Sequence, residues 1–219
     1  MMTSREQLIT QLSHNLKAKP PGMSNNKRAI LWWAVSWIYV AFITLQIEPL
    51  RPGVWLQLLE SPQFLIESLL GFVASLMMAL TAWRTAVPGA LTRRWLHWTL
   101  GITIVWVLFY VVGIAYPALE PSRLGERAHC YLETFLYTVP PSFVACVVVA
   151  KLMPLKPLQA GFFIGVAAGM IPGLFMQFAC FYDPIHILQL HLLPGLVSAV
   201  VPFILLPALL KRKQLFYSE

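Results

Sequence analysis

Six long apolar runs constrain this chain more than any other feature of its sequence. Each holds about 20 residues, the length that a helix rising about 1.5 Å per residue needs to cross a bilayer core of about 30 Å. Because 58% of the residues are hydrophobic and only 11% are charged, too little polar surface remains to hide these runs in a soluble protein. The predicted spans are Ala29–Ile47, Phe64–Trp83, Trp95–Tyr116, Cys130–Ala150, Leu158–Tyr182 and Leu192–Leu210.

The Lys and Arg residues predict how the spans are oriented. With the N-terminus inside, thirteen of the sixteen basic residues fall in inner segments, and only Arg51, Arg123 and Arg127 fall in outer loops. Inner segments of membrane proteins carry such an excess of positive charge. The predicted fold is therefore an all-α, polytopic membrane helical bundle of six transmembrane helices with both termini in the cytoplasm. The apolar spans are expected to contact the lipid bilayer. Since topology accounts for the net charge of +7, no direct contact with nucleic acid is expected.

The chain divides into three parts by composition. Residues 1–28 form a polar cytoplasmic segment, residues 29–210 the six-helix transmembrane domain and residues 211–219 a cytoplasmic basic tail. The first part contains a short amphipathic helix, because Thr3 and Glu6 stand at capping-box spacing and an apolar stripe follows them. This stripe either lies on the lipid surface or enters a groove of a protein partner. Its residues are Leu8, Ile9, Leu12 and Leu16.

Glycine and proline predict how two of the spans pack. Four glycines recur at every fourth position of the fifth span, and such a ladder lets another helix backbone approach closely. The sequence leaves open whether that helix belongs to the same chain. The pair Pro140-Pro141 is expected to break the middle of the fourth span. The ladder consists of Gly161, Gly165, Gly169 and Gly173.

Residues that bind soft metals gather on the predicted outer side. Cys130 begins the fourth span and Cys180 lies near the end of the fifth, so both thiols are expected at the same depth. Thiolate and imidazole suit divalent metals such as zinc, cadmium or copper, whereas two thiols in an oxidising compartment can instead form a disulfide. The alternative is that the cysteines only fill space, as is expected for Cys146. The predicted sensing residues are Cys130, Cys180, His129, Glu133, Asp183 and His186, with His191, Glu67 and Glu48 as further candidates.

The outer loops contain no other predicted site. The first, Glu48–Gln63, is expected to carry a short surface helix, and the second, Pro117–Ala128, is expected to be solvated. The sequence has no Cys-x-x-Cys, phosphate loop, nucleophile elbow or HExxH motif. The chain is therefore expected not to be an enzyme and to require no cofactor, a divalent metal entering only as a signal. A membrane-bound regulator and a small metal-ion transporter with the outer cluster as its entry site remain as alternatives.

Several short motifs, taken in their order and spacing, resemble one known family. They are the short N-terminal helix, Arg51-Pro52, Ser61-Pro62-Gln63-Phe64, Val87-Pro88-Gly89, Cys130, Pro140-Pro141, Gly165-Val166-Ala167-Ala168-Gly169 and Cys180. Together they resemble the NrsF-like family of six-span bacterial anti-sigma factors, the negative regulators of sigma F. The resemblance implies a multi-pass protein of the bacterial inner membrane that sequesters an extracytoplasmic-function sigma factor. It further implies release of that factor on a periplasmic metal or redox signal carried by the two cysteines.

Overall fold

The computed structural model describes residues 23–120 and 122–216, and all its regular elements in these ranges are helical. Six helical spans are long and apolar enough to cross a membrane, which confirms the predicted all-α bundle. The predicted stripe of Leu8, Ile9, Leu12 and Leu16 lies outside the described residues. The helices are α1 (Asn25–Ile47), α2 (Val54–Glu60), α3 (Pro62–Thr85), α4 (Arg93–Gly113), α5 (Cys130–Ala150), α6 (Pro157–Ala179), α7 (Pro184–His186), a π-helical segment (Ile187–Leu192), α8 (Leu193–Val197) and α9 (Val200–Phe216).

Short polar side chains fix where four of the helices begin. Each accepts a hydrogen bond from the backbone N–H three residues further on, which satisfies one of the amides that a helix start leaves unpaired. Pro62 and Pro184 follow two of these caps at the first helical position. There the missing proline N–H has no cost and the fixed φ favours the helix. The capping residues are Ser24, Ser61, Thr92 and Asp183.

Several span boundaries differ from the prediction, and two of them lie next to Cys180 at the end of the bundle that carries Cys130 and Cys180, called here the cysteine end. Helix α6 ends at Ala179 and not at Tyr182, because Cys180 is an extended C-cap. The last span begins at Pro184 and not at Leu192, so the predicted loop before it is mostly helical. The Asp183 side chain caps this early start. At the C-terminal end of the last span, α9 continues to Phe216 and so enters the predicted basic tail, residues 211–219.

The proline pair does not break α5, contrary to the prediction. The helix runs from Cys130 to Ala150 through Pro140 and Pro141. Two consecutive prolines remove only their own N–H donors, and their fixed φ is helical. The Trp32 indole of α1 packs on this turn and donates a 3.0 Å hydrogen bond to the Pro141 carbonyl. Packing between spans thus keeps α5 continuous up to Cys130.

Helix α6 forms the centre of the bundle. Its span is 78% buried, against at most 50% for the other five spans. The glycine ladder of α6 faces the last span of the same chain, where a Cβ on three of the four glycines would overlap the opposing backbone. The two backbones therefore run in direct contact along much of the membrane thickness. The facing pairs are Gly161 with Pro202, Gly165 with Ala199, Gly169 with Gly195 and Gly173 with His191.

Candidate functional site

Two helix ends bring the cysteines together. Cys130 is the first residue of α5 and Cys180 is the C-cap of α6. A short connection, residues 151–156, joins the two helices and makes them antiparallel, so the start of α5 and the end of α6 lie at the same end of the bundle. Both thiols are buried, and neither belongs to a disulfide.

The last span adds two imidazoles to this pair of thiols. His186 closes α7, and His191 lies in the π-helical segment. One donor atom from each of Cys130, Cys180, His186 and His191 lies within 4.8 Å of the others. The Nε2 atom of His186 is 3.3 Å from Sγ of Cys130 and 3.4 Å from Sγ of Cys180. We call these four residues the Cys2His2 group.

The spacing of the Cys2His2 group suits a tetrahedral ion. Ligands about 2.0–2.3 Å from a zinc-like ion stand about 3.3–3.8 Å apart at the corners of a tetrahedron. Both distances from His186 to the thiols lie at the lower end of that range. The widest separation in the group, up to 4.8 Å, closes with side-chain movements of about 1 Å. Two sulfur and two nitrogen donors form a set that zinc, cadmium and copper accept.

His191 is the least satisfied polar side chain of the group. Its ring is fully buried, and neither Nδ1 nor Nε2 makes a hydrogen bond to any described residue. A buried polar atom without a partner costs about 1–3 kcal/mol. His191 also lies in a π-helical segment, and π-turns inside α-helices occur frequently at functional sites. An imidazole with this arrangement beside two thiols is suited to ligand binding.

The surroundings of Cys180 lower the pKa of its thiol below the ordinary value. The largest cause is the neighbouring Cys130 thiol, and the nearby imidazoles act in the same direction while burial opposes them. A lower pKa favours the thiolate, which is the form that binds metal ions and reacts with oxidants. A lowered pKa thus favours both metal binding and oxidation at Cys180.

A cleft at the surface of the cysteine end reaches one member of the Cys2His2 group, His186. Its volume is about 580 Å³, and Tyr182, Asp183, His186 and Gln189 contribute to its lining. His186 is half-buried, whereas the other three members of the group are buried. His186 is therefore the member that a small ion or an oxidant meets first.

Three predicted sensing residues lie beside the group and have other contacts. His129 is exposed just before α5. Glu133 forms a 2.9 Å ion pair with Arg127, and Asp183 accepts a 2.7 Å hydrogen bond from the His186 backbone N–H. The structure thus brings together Cys130, Cys180 and His186, with His191 as the fourth donor. Sensing roles for the other three stay predictions.

The two remaining candidate carboxylates also lie outside the group. Glu67 is fully buried and accepts hydrogen bonds from the Tyr182 hydroxyl at 2.7 Å and from the Gln63 side chain at 3.1 Å. Glu48 is exposed, with a carboxylate oxygen 3.7 Å from Nε of Arg127. Glu67 ties the segment after Cys180 to α3, so it supports the site without being close enough to join it.

Two buried arginines were not predicted. The Arg127 side chain is 1% exposed, so the prediction of a solvated second loop is wrong at this residue. Arg51, in the first loop, is 4% exposed. Hydrophobic periodicity does not indicate that either arginine is buried. Their position in the sequence does single them out, because both lie in predicted outer loops, where basic residues are rare.

Comparison with protein families agrees with this architecture. The family model described as "NrsF: Negative regulator of sigma F" matches residues 12–211, which include all four members of the Cys2His2 group. No curated protein and no solved structure matches the chain. The six apolar spans are those of a multi-pass membrane protein, and the family description names a sigma factor as the regulated partner. The chain therefore belongs to the NrsF family, the negative regulators of sigma F.

Proposed function

We propose that this chain is an anti-sigma factor of the bacterial inner membrane, which sequesters an extracytoplasmic-function sigma factor and releases it on a metal or redox signal. The family and the six spans support the regulatory and membrane parts of this proposal. The observation that carries the signalling part is the convergence of Cys130, Cys180, His186 and His191. These side chains form a binding site, and the proposal assigns the chain no catalytic step.

The distribution of basic residues supports a periplasmic position for the Cys2His2 group. Thirteen of the sixteen Lys and Arg residues fall in predicted inner segments, and the eight of these whose side chains the structure describes lie at the end of the bundle opposite the group. This end faces the cytoplasm by the positive-inside rule. The termini are then cytoplasmic as well, and the leucine stripe of residues 8–16 is available to the sigma factor together with the short inner loops. The thiols face the oxidising compartment.

The donor set favours a metal signal over a disulfide. The thiolates of Cys130 and Cys180 and the neutral imidazoles of His186 and His191 would hold a soft or borderline divalent ion such as zinc, cadmium or copper. Thiols lose their protons on metal binding, and the lowered pKa of Cys180 already favours one thiolate. A disulfide uses only the two sulfurs, so it gives no role to imidazoles that lie 3.3 and 3.4 Å from them.

The glycine ladder supports a path from the site to the opposite end. His191 belongs to the group and also faces Gly173 at the first step of the ladder. From there the last span stays in backbone contact with α6 as far as Gly161 and Pro202. A signal that changes the position of His191 therefore acts on the whole last span. It shifts the equilibrium between two states only by its difference in affinity for them.

Metal transport has less support than sensing. A transporter usually places its substrate site near the bilayer midplane, within broken helices. In the two described ranges, the Cys2His2 group at one end is the only place where three or more His, Cys, Asp or Glu donors converge. Uptake of cadmium into proteoliposomes would favour the transporter instead.

A sigma-dependent reporter strain tests the proposal. The double variant Cys130→Ser, Cys180→Ser should keep repression but lose induction by cadmium and zinc. Cys146→Ser is the matched control, because its buried thiol lies in the interior of α5 and should not affect the response. A double variant that responds like the parent would refute sensing at this site. Copurification from native membranes identifies the sigma factor.

A further inference from the structure

We infer that Arg127 and Arg51 are positioning residues of the sensor, which hold the last turn of α6 so that Cys180 stays within reach of its three partners. The inference rests on the proposed function of the Cys2His2 group. Neither arginine belongs to that group, and both come from loops that precede it in the chain.

The end of α6 provides the first observation. A helix C-terminus leaves its last carbonyl groups without intrahelical partners. Here three consecutive carbonyls accept hydrogen bonds from the two arginines, in an arrangement that also places cations at the negative end of the helix dipole. The Arg51 backbone N–H donates to Phe178 at 3.2 Å, Arg127 Nε donates to Ala179 at 3.3 Å, and Arg51 Nη1 donates to Cys180 at 3.5 Å.

Arg127 also connects this helix end to α5. Its Nη1 lies 2.9 Å from Oε2 of Glu133, which stands in the first turn of α5, three residues after Cys130. One guanidinium therefore joins the first turn of the helix that starts with Cys130 to the last turn of the helix that ends at Cys180. Movement of either cysteine-bearing end disturbs a contact of Arg127.

The same guanidinium reaches a third segment. Its Nη2 donates to the Glu48 carbonyl at 2.7 Å and to the Pro49 carbonyl at 3.1 Å, directly after α1. The planar guanidinium directs several N–H donors to these separate partners. A lysine has a compact ammonium group that cannot reach all of them at once. Since the side chain is 1% exposed, losing these partners would leave a buried charge without compensating contacts.

Arg51 is held mainly by packing, because its guanidinium makes one hydrogen bond and its Nε and Nη2 have no hydrogen-bond partner among the described residues. Its guanidinium lies over the Phe64 ring, 5.5 Å from the centroid. Gly125 covers its aliphatic stem so closely that a Cβ on this glycine would lie 3.0 Å from Cβ and Cγ of Arg51. The first and second loops thus hold each other against the end of α6, with Cys180 beneath them.

Cadmium titration of the full-length protein in detergent tests the inference. The thiolate-to-cadmium absorption band reports binding. Partners that orient metal ligands typically contribute about 10–100-fold to metal affinity, so Arg127→Gln and Arg51→Gln should weaken cadmium binding by about that factor. Arg127→Lys should fall between Arg127→Gln and the parent. Arg123→Gln is the matched control, because that side chain lies in the same loop and is 88% exposed.

Thermal unfolding of the metal-free proteins separates positioning from general stability. A purely structural role would lower the unfolding temperature and leave the affinity of the folded protein unchanged, which would overturn the inference. If Arg127→Gln does not fold, Arg127→Lys decides the matter, because it keeps the buried positive charge and removes the fork of N–H donors. Weakened cadmium binding by Arg127→Lys supports the inference, and parent-like binding overturns it.

The parent protein distinguishes this inference from the proposal beneath it. A parent that binds no cadmium refutes the metal-sensing proposal and the inference together. A parent that binds cadmium through its thiolates, with Arg127→Gln and Arg51→Gln equal to it, refutes the inference alone.

Discussion

At the scale of single residues, His191 combines two properties that rarely coincide in a membrane span. It is fully buried, and its ring nitrogens have no hydrogen-bond partner among the described residues. Polar residues inside membranes are rare and usually functional, because the apolar surroundings make them costly. The two thiols beside it give the imidazole a chemical role that packing alone does not.

Replacement of His191 tests this role. We expect His191→Ala to weaken cadmium or zinc binding by more than about 100-fold, since a lost ligand affects affinity more than a lost outer partner, worth about 10–100-fold. Isothermal titration of the purified protein measures the change. His129→Ala is the comparison, because His129 is exposed and outside the Cys2His2 group. Equal affinities for both variants would remove His191 from the site.

The sequence predicted part of the site because the spans determine depth. Cys130 and Cys180 lie at or near predicted span ends and His186 in the predicted outer loop that follows Cys180, and the structure brings these three together. The sequence offers His191 only as a further candidate for sensing, because it predicts a loop for this segment. The sequence does not reveal the burial of Arg127, because that burial depends mainly on carbonyls from two distant segments, at Glu48 and Ala179. No local pattern contains such information.

At the scale of elements, the last span and α6 depend on one another. Gly169 faces Gly195 so closely that each glycine leaves no room for a Cβ on the other. The sequence predicted the close contact from the spacing of the glycines, but the partner helix became identifiable only in the structure. Asp183 is a residue type that caps helices, but the polar residues that follow it indicate a loop. The structure shows that Asp183 caps the start of the last span.

Substitution in the ladder should destabilise the protein. Gly169→Ala places a methyl group on the backbone of Gly195, which cannot turn aside, so we expect a loss of at least about 1–3 kcal/mol in unfolding free energy. Thermal unfolding in detergent measures it. Gly101→Ala is the matched control, because nothing lies within 4 Å of its Cβ position in α4, and it should be neutral or stabilising. Normal stability of Gly169→Ala with altered signalling would place the ladder in the moving part of the protein.

At the scale of the whole molecule, the chemistry is divided between the two ends of the bundle. The Cys2His2 group and the buried arginines occupy one end, and most of the Lys and Arg side chains that the structure describes belong to the other. The six-span architecture follows from hydropathy alone, because no soluble fold accommodates so many apolar helices in a chain of this size. Orientation follows only from the asymmetry of charge.

Reporter fusions test this orientation. A fusion at Glu219 should report the cytoplasm, and one inserted at Gly125 should report the periplasm, because thirteen of the sixteen basic residues favour that arrangement. Alkaline phosphatase and green fluorescent protein provide complementary signals for the two compartments. Signals from the same compartment at both sites would refute the six-span topology.

The leucine stripe is the expected contact with the sigma factor. Replacing Leu8 and Leu12 together with Asp removes apolar side chains worth about 1.5–3 kcal/mol each when buried. It also introduces charges that a groove cannot pair. We expect constitutive sigma-dependent transcription with normal amounts of the protein in the membrane, measured by reporter activity and immunoblotting. Unchanged repression would assign the contact to the inner loops.

The order of the four donors along the chain has a consequence for biosynthesis. Both thiols are made before residue 181, whereas both imidazoles belong to the last span. A nascent chain that has inserted five spans therefore holds its cysteines without the histidines, and a truncation before Pro184 keeps it in that state. The tetrahedral donor set exists only after the final span has inserted and closed against α6. Under the proposed function, sensitivity to metal is therefore acquired only at the last step of assembly.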